Sequence, residues 1–194
     1  MIRLGIIGSS RGTDLQFILN AIDSGVLKAE VSVVISNRKN AYILERAQNH
    51  KIPALFISNG YKSREEFDRE MTHVLQNKNV DLVLLIGFMR IVSAEFCEVW
   101  KDCLLNVHPS LLPKYAGGMD TNVHSKVLAN GDKETGCTIH FVTDEVDSGP
   151  ILIQKKCAVS KDDTVASLKK RVQRLEGIAF VEAIKLIQSK IYAE

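Results

Sequence analysis

An asparagine and a histidine stand two apart in Asn106-Val107-His108, just before Pro109-Ser110-Leu111-Leu112-Pro113. In an extended segment, positions two apart point to the same side, and Pro109 biases His108 towards an extended backbone. The pair would then project together. An Asn amide can donate to a developing oxyanion, and a neighbouring His can move protons near neutral pH. The same residues also suit a strand-end Asn capping a turn beside a hydrogen-bonded His. A second cluster, Asp144-Glu145-Val146-Asp147-Ser148-Gly149-Pro150, follows an apolar run. One of its carboxylates could fold back towards His108, raise imidazole basicity and order water. A solvated acidic turn is the alternative.

A third segment, Gly8-Ser9-Ser10-Arg11-Gly12-Thr13-Asp14, joins an apolar run to a helical pattern. Its glycines let the backbone approach a ligand, and a helix N-terminus offers unpaired N–H groups suited to phosphate. Ser9, Ser10 and Thr13 add hydroxyls, and Arg11 adds a cation. The glycine spacing is neither that of a dinucleotide fingerprint nor that of a P-loop. A plain strand-to-helix turn capped by Thr13 or Asp14 would look the same. His50, His73, His124 and His140 are scattered, without metal-ligand spacing. His73 falls on an amphipathic helix and His140 on an alternating strand, where structural roles are expected. His124, at the start of a helix, is kept as a residue beside the site.

The elements that must position these residues follow from hydrophobic periodicity. Residues 4–7, 31–35, 54–57, 82–86 and 103–107 are short apolar runs of strand length. Between them, Leu15, Ile18, Leu19 and Ile22 recur at helical spacing, with Gly25 as a stop, and 42–49 also reads as helix. Ser63-Arg64-Glu65-Glu66 is a capping-box pattern that opens a helix to about Leu75. After Val107 come a proline- and glycine-rich loop, a helix over 122–129, and two alternating strands over 137–142 and 151–158. A last helix starts near Asp163 and runs towards Ser189. This order predicts an α/β fold of Rossmann-like type: a mostly parallel sheet with helices on both faces and a mixed, antiparallel C-terminal edge. Ligands of such sheets bind beyond the carboxyl ends of the strands.

Composition narrows the function class. The chain has 194 residues, 45% hydrophobic and 25% charged, with a formal net charge of +2. A disordered chain is excluded, and nothing supports general attraction to nucleic acid or membrane. No apolar stretch approaches the ~20 residues that span a bilayer. Cys97, Cys103, Cys137 and Cys157 form no Cys-x-x-Cys pair and read as reduced core thiols of a cytoplasmic protein. No repeat or linker divides the chain, so one domain over 1–194 is expected.

Taken together, the motifs resemble the folate-dependent formyltransferases, and within them the phosphoribosylglycinamide formyltransferases. The resemblance runs from Leu4 to about Leu186. It rests on Gly12-Thr13-Asp14-Leu15-Gln16, Ser63-Arg64-Glu65, Gly87-Phe88-Met89-Arg90-Ile91-Val92, residues 105–115 around Asn106 and His108, Gly136-Cys137-Thr138-Ile139-His140-Phe141-Val142, and Asp147-Ser148-Gly149-Pro150-Ile151-Leu152. It implies transfer of a formyl group from 10-formyltetrahydrofolate, a cosubstrate, to the amine of phosphoribosylglycinamide in purine biosynthesis, without a metal. The implied catalytic residues are Asn106 for the oxyanion, His108 for charge and protons, and Asp147 for an ordered water and support of His108. Gly12, Thr13, Asp14 and Glu176 match ribotide positions; Arg64, Met89, Arg90, Ile91, Val92 and Asn106 match folate positions.

The implied division places ribotide-phosphate binding in 1–107 and the folate and catalytic loop, with the C-terminal helix, in 108–194. The implied partners are these two small molecules, with no nucleic acid or membrane, and the implied state is a monomer or homodimer. Arg11 replaces a small or amide residue of many members. Residues 116–122 are longer than in some, which makes Asp144 a competitor for the Asp147 position; the Ser-Gly-Pro context selects Asp147. Asp120 adds a carboxylate without an assigned role. The rival enzyme is formyltetrahydrofolate deformylase, which shares the Asn-His-Asp set and carries a further N-terminal domain. Methionyl-tRNA formyltransferase carries a C-terminal RNA-binding domain; the chain length argues for neither. A non-catalytic folate- or nucleotide-binding relative is the alternative from another class.

Overall fold

The computed structural model describes residues 1–118 and 120–191, without the side chains of 120, 121 and 191. The Asp120 carboxylate therefore lies outside the described residues. Seven strands form one sheet: β1 (Ile2–Ile7), β2 (Ala29–Ser36), β3 (Ala54–Phe56), β4 (Leu82–Leu85), β5 (Leu104–His108), β6 (Glu134–Phe141) and β7 (Ile151–Ala158). Their order is β3-β2-β1-β4-β5-β6-β7. Pairings from β3 to β5 are parallel, and β5 to β6 and β6 to β7 are antiparallel. The mixed C-terminal edge read from the sequence is thus present.

Strict alternation explains why the inner strands are wholly apolar. Leu82, Leu84 and Ile86 enter one core, while Val83 and Leu85 enter the other. The first core lies under α1 (Thr13–Asp23), α2 (Tyr42–Asn49) and α6 (Val165–Ile191), through residues such as Leu15, Ile43 and Phe180. The second lies under α3 (Arg64–Asn77) and α4 (Ala94–Val99), through Phe67, Met71 and Phe96. Strands covered on both faces have no polar side to show. The capping box is formed: the Ser63 hydroxyl accepts from Glu66 N–H, and Glu66 accepts from Ser63 N–H. Helix α4 was not foreseen, because six residues are too few to display a helical period. A further helix, α5 (Asp120–Ala129), follows the proline-rich loop.

Two details of this frame place the site. The strand order reverses between β1 and β4, so the connections beyond their carboxyl ends leave in opposite directions and a crevice forms there. Helices α1 and α6 approach closely because α6 carries Gly177, where any Cβ would run into the Phe17 ring. That approach brings the preceding residue, Glu176, to the same end of the crevice as the start of α1. The four cysteines are free thiols, with Cys97 and Cys137 buried. Among the described residues, no helix is long and apolar enough to cross a membrane.

Candidate active site

A cleft of about 830 Å³ opens at the carboxyl ends of β1, β4 and β5. That is towards the upper end of the roughly 300–1,000 Å³ common for small-molecule sites. Asn106 and His108 reach it from alternate positions of β5, as their spacing requires. Asp147 reaches it from the turn after β6, in the left-handed region at φ 54, a conformation that Asp tolerates better than most residues. Gly149 permits this turn, because a Cβ there would collide with the Phe141 carbonyl oxygen. Asp144 lies three residues earlier, and it is Asp147 that meets the histidine.

His108 Nδ1 lies 3.1 Å from Asp147 Oδ2, with the two side chains only 4% and 10% exposed. His108 Nε2 lies 2.9 Å from the Tyr115 carbonyl oxygen. Both ring nitrogens therefore face acceptors, and both contacts are satisfied together only when each nitrogen carries a proton. The Gly117 N–H donates to Asp147 Oδ2 at 2.7 Å. Burial opposes ionisation of Asp147, but hydrogen bonds from His108 and Gly117, with the His108 charge, outweigh it. They hold this carboxyl well below the usual carboxylate range. The turn bearing Tyr115 is anchored from behind: its hydroxyl donates to Asp132 at 2.9 Å and accepts from Asn130 at 2.8 Å.

His140 corrects the sequence reading. It is not a bystander in an alternating strand. It sits opposite Asn106 in the β5–β6 ladder, is 2% exposed, and lies 3.6 Å from Asp147 Oδ1. Its Nδ1 donates to the Phe141 carbonyl at 2.9 Å, which leaves Nε2 to accept from Asn106 Nδ2 at 3.2 Å. This fixes which way round the Asn106 amide sits and leaves its second N–H available to the cleft. The signal for His140 lay in strand pairing, which one sequence does not display. His124 is buried in α5 and does not line the cleft.

The other expected residues fall around the same cavity. Thr13, Asp14 and Glu176 line it from α1 and α6, and Arg64, Met89, Arg90, Ile91 and Val92 line it from the start of α3 and the loop after β4. Gly12 stands just behind the lining, left-handed at φ 65 as the N-cap of α1. A side chain at Gly12 would strike Ile43. Glu176 is 7% exposed, so it is not a solvated helix face. The 88–92 loop is tied at both ends. Met89 N–H donates to the Ser9 hydroxyl at 2.9 Å, and Ser93 N–H donates to Asp68 at 2.6 Å. Arg90 lies over the Phe67 ring at 5.0 Å. Lys169 and Gln173 also line the cleft from the Glu176 face of α6 and were not read from the sequence.

A family profile described as "Formyl transferase" matches residues 2–184. The chain is 41% identical over 172 residues to phosphoribosylglycinamide formyltransferase of Escherichia coli (strain K12), covering 88% of this chain and 80% of that protein. It is 38% identical over 188 residues to the "Trifunctional purine biosynthetic protein adenosine-3" of Homo sapiens, covering 96% of this chain and 18% of that protein. The chain thus spans 14–18% of the length of such trifunctional relatives. The solved structure of glycinamide ribonucleotide transformylase 1 from Symbiobacterium toebii superposes with a TM-score of 0.90 at 42% identity, covering 95% of this chain and 86% of that one.

Proposed function

The chain belongs to the formyl transferase family, and from that premise we propose that it transfers a formyl group from 10-formyltetrahydrofolate to the amine of phosphoribosylglycinamide. The products are phosphoribosyl-N-formylglycinamide and tetrahydrofolate, and the step belongs to purine biosynthesis in the cytoplasm. The observation that carries this reading is the contact of His108 Nδ1 with Asp147 at 3.1 Å, beside an Asn106 amide oriented by His140. These groups share one cleft with the start of α1 and with Arg64.

Each ligand draws on both parts of the chain. The ribotide phosphate takes the N–H groups at the start of α1, with Glu176 across the cleft on α6. The folate takes the irregular backbone of 89–92, Arg64, and the 142–147 turn, which Val146, 50% exposed, carries towards solvent. Apolar and backbone groups along 85–92 suit a flat heteroaromatic ring, and Arg64 suits a carboxylate. When bound, the folate supplies the formyl carbon as electrophile, and the ribotide supplies the amine.

The residues of the chain do three things. The free N–H of Asn106 donates to the formyl oxygen as charge develops there, in an orientation set before the reaction. His108, held by Asp147 at Nδ1, offers Nε2 to the reacting groups once that nitrogen leaves the Tyr115 carbonyl, and moves a proton there. Asp147 stays ionised and stabilises the charged imidazole. No side chain need be a nucleophile, because the amine is one.

The test is tetrahydrofolate release with and without phosphoribosylglycinamide. Release that requires the amine supports the transferase. Equal release without it would make the protein a hydrolase of the formyl group, and none in either case would leave a binder.

A further inference from the structure

Asp14 is the second residue of α1, in a loop that the proposed function assigns to a phosphate. An ionised carboxylate there would oppose a bound phosphate, since like charges at close range disfavour each other. The start of α1 favours negative charge, whereas the burial of Asp14 opposes it. Asp14 is 5% exposed, it lines the cleft, and its Oδ1 is buried with no hydrogen-bond partner among the described residues. A buried carboxylate oxygen without a donor is costly, whereas a protonated carboxyl has a hydrogen to give.

The surroundings add to this. Across the cleft on α6 stands Glu176, a second carboxyl, with Lys169 on the same helix face. Beneath them on β6 is the Cys137 thiol, pushed up by burial and then by Glu176 and Asp14. In its own loop, Arg11 is exposed and lies 5.6 Å over the Tyr42 ring. Of these neighbours Glu176 and Cys137 are buried, Lys169 is half-buried and Arg11 is exposed.

We propose that Asp14 works as a neutral acid whose O–H is donated to the phosphate of the ribotide, so that this substrate binds together with one proton. This rests on the reading of the α1 end as a phosphate subsite and makes Asp14 a pH-dependent determinant of ribotide affinity. Burial pushes the Asp14 carboxyl up to about 7, so the linkage falls in the physiological range. Below that pH the acid is already protonated and binding is full. Above it each bound phosphate takes a proton from solvent, and affinity drops by up to about tenfold per pH unit. Asn is the isostere that donates without titrating.

The experiment is calorimetric titration of the full chain with ribose 5-phosphate between pH 6 and 8.5, in pairs of buffers with different protonation enthalpies. Ribose 5-phosphate carries its own titrating phosphate, so the difference between the wild type and Asp14→Asn is the readout. At pH 8 the wild type should take up close to one more proton than Asp14→Asn. By pH 8.5 Asp14→Asn should bind about thirtyfold more tightly, while at pH 6 the two should agree within about threefold. Equal proton uptake in both proteins would overturn the inference. So would an Asp14→Asn affinity that is lower by the same factor at every pH in a protein that melts normally. Uptake that persists in Asp14→Asn but vanishes in Glu176→Gln would assign the proton to Glu176 instead. Absence of binding at any pH overturns it along with the subsite. Proton-linked binding without formyl transfer would leave the inference standing and remove the proposed reaction. Formyl transfer with equal uptake would do the reverse.

Discussion

Asp14 and Asp147 are both largely buried, face one cleft and are driven in opposite directions. Asp147 is met by donors: His108 and the Gly117 N–H. Asp14 keeps an oxygen with no donor among the described residues. Burial acts on both, and it decides only where nothing answers it. The His108 end of the cleft is thereby built to keep a permanent negative charge beside an imidazole. At the α1 end Asp14 meets burial without such side-chain donors at Oδ1, and under the proposal a phosphate would bring the charge there.

The largest effect should come from removing the charge at the donor-rich end. His108→Ala and Asp147→Asn should each lower kcat by about 10²–10⁴-fold while the fold persists, read by steady-state tetrahydrofolate release and circular dichroism. Asp144→Asn should leave kcat within about threefold, since surface changes away from the site cost little. A crippled Asp144→Asn beside a silent Asp147→Asn would reverse the comparison. Asn106→Ala should cost about 10²–10³-fold in kcat, as loss of one oxyanion donor does. His140→Ala keeps that donor and loses only its orientation, so a smaller loss of about 10- to 100-fold is expected. A double-mutant cycle with Asn106→Ala should show that the two losses are not additive.

The stability effects are smaller and opposite in sign. The folded-state value of Asp147 is depressed, so its contribution is present above its unfolded value near 4 and is lost as pH falls towards the folded one. The Tm advantage of wild type over Asp147→Asn should therefore shrink as melts are taken from pH 6 down to pH 3. The folded-state value of Asp14 is raised, so the native state holds an extra proton between about 4 and 7, and stability falls as pH rises through that window. Asp14→Asn should then be more stable than wild type to denaturant at pH 8, by on the order of 1–3 kcal/mol, and no more stable at pH 4. A destabilised Asp14→Asn at pH 8 would erase the distinction between the two aspartates.

Much of this molecule was legible before its structure. Unbroken apolar runs such as 82–86 read as buried strands, because a strand covered on both faces has no polar position to display. Ser63 to Glu66 gave a capping box, because that motif is closed by residues three apart. Asn106 and His108 gave a pair on one side, because both lie on one strand. Asp147 was separated from Asp144 only through its Ser-Gly-Pro context. Residues 94–99 were missed as a helix, and His140 was missed as part of the site.

What the sequence determined by itself is therefore what lies within a few residues along the chain: element type, local caps, and the shared side of Asn106 and His108. Tertiary structure alone decided what depends on partners far apart in sequence. The antiparallel register set His140 against Asn106 across 34 positions. The close packing of α1 on α6, through Gly177 and Phe17, brought Glu176 to the Asp14 end. The supply of donors, generous at Asp147 and absent at Asp14 Oδ1, gave two identical residues opposite chemistry. Ionisation inside a protein is set by the groups within a few ångströms, and the chain order does not state which groups those are.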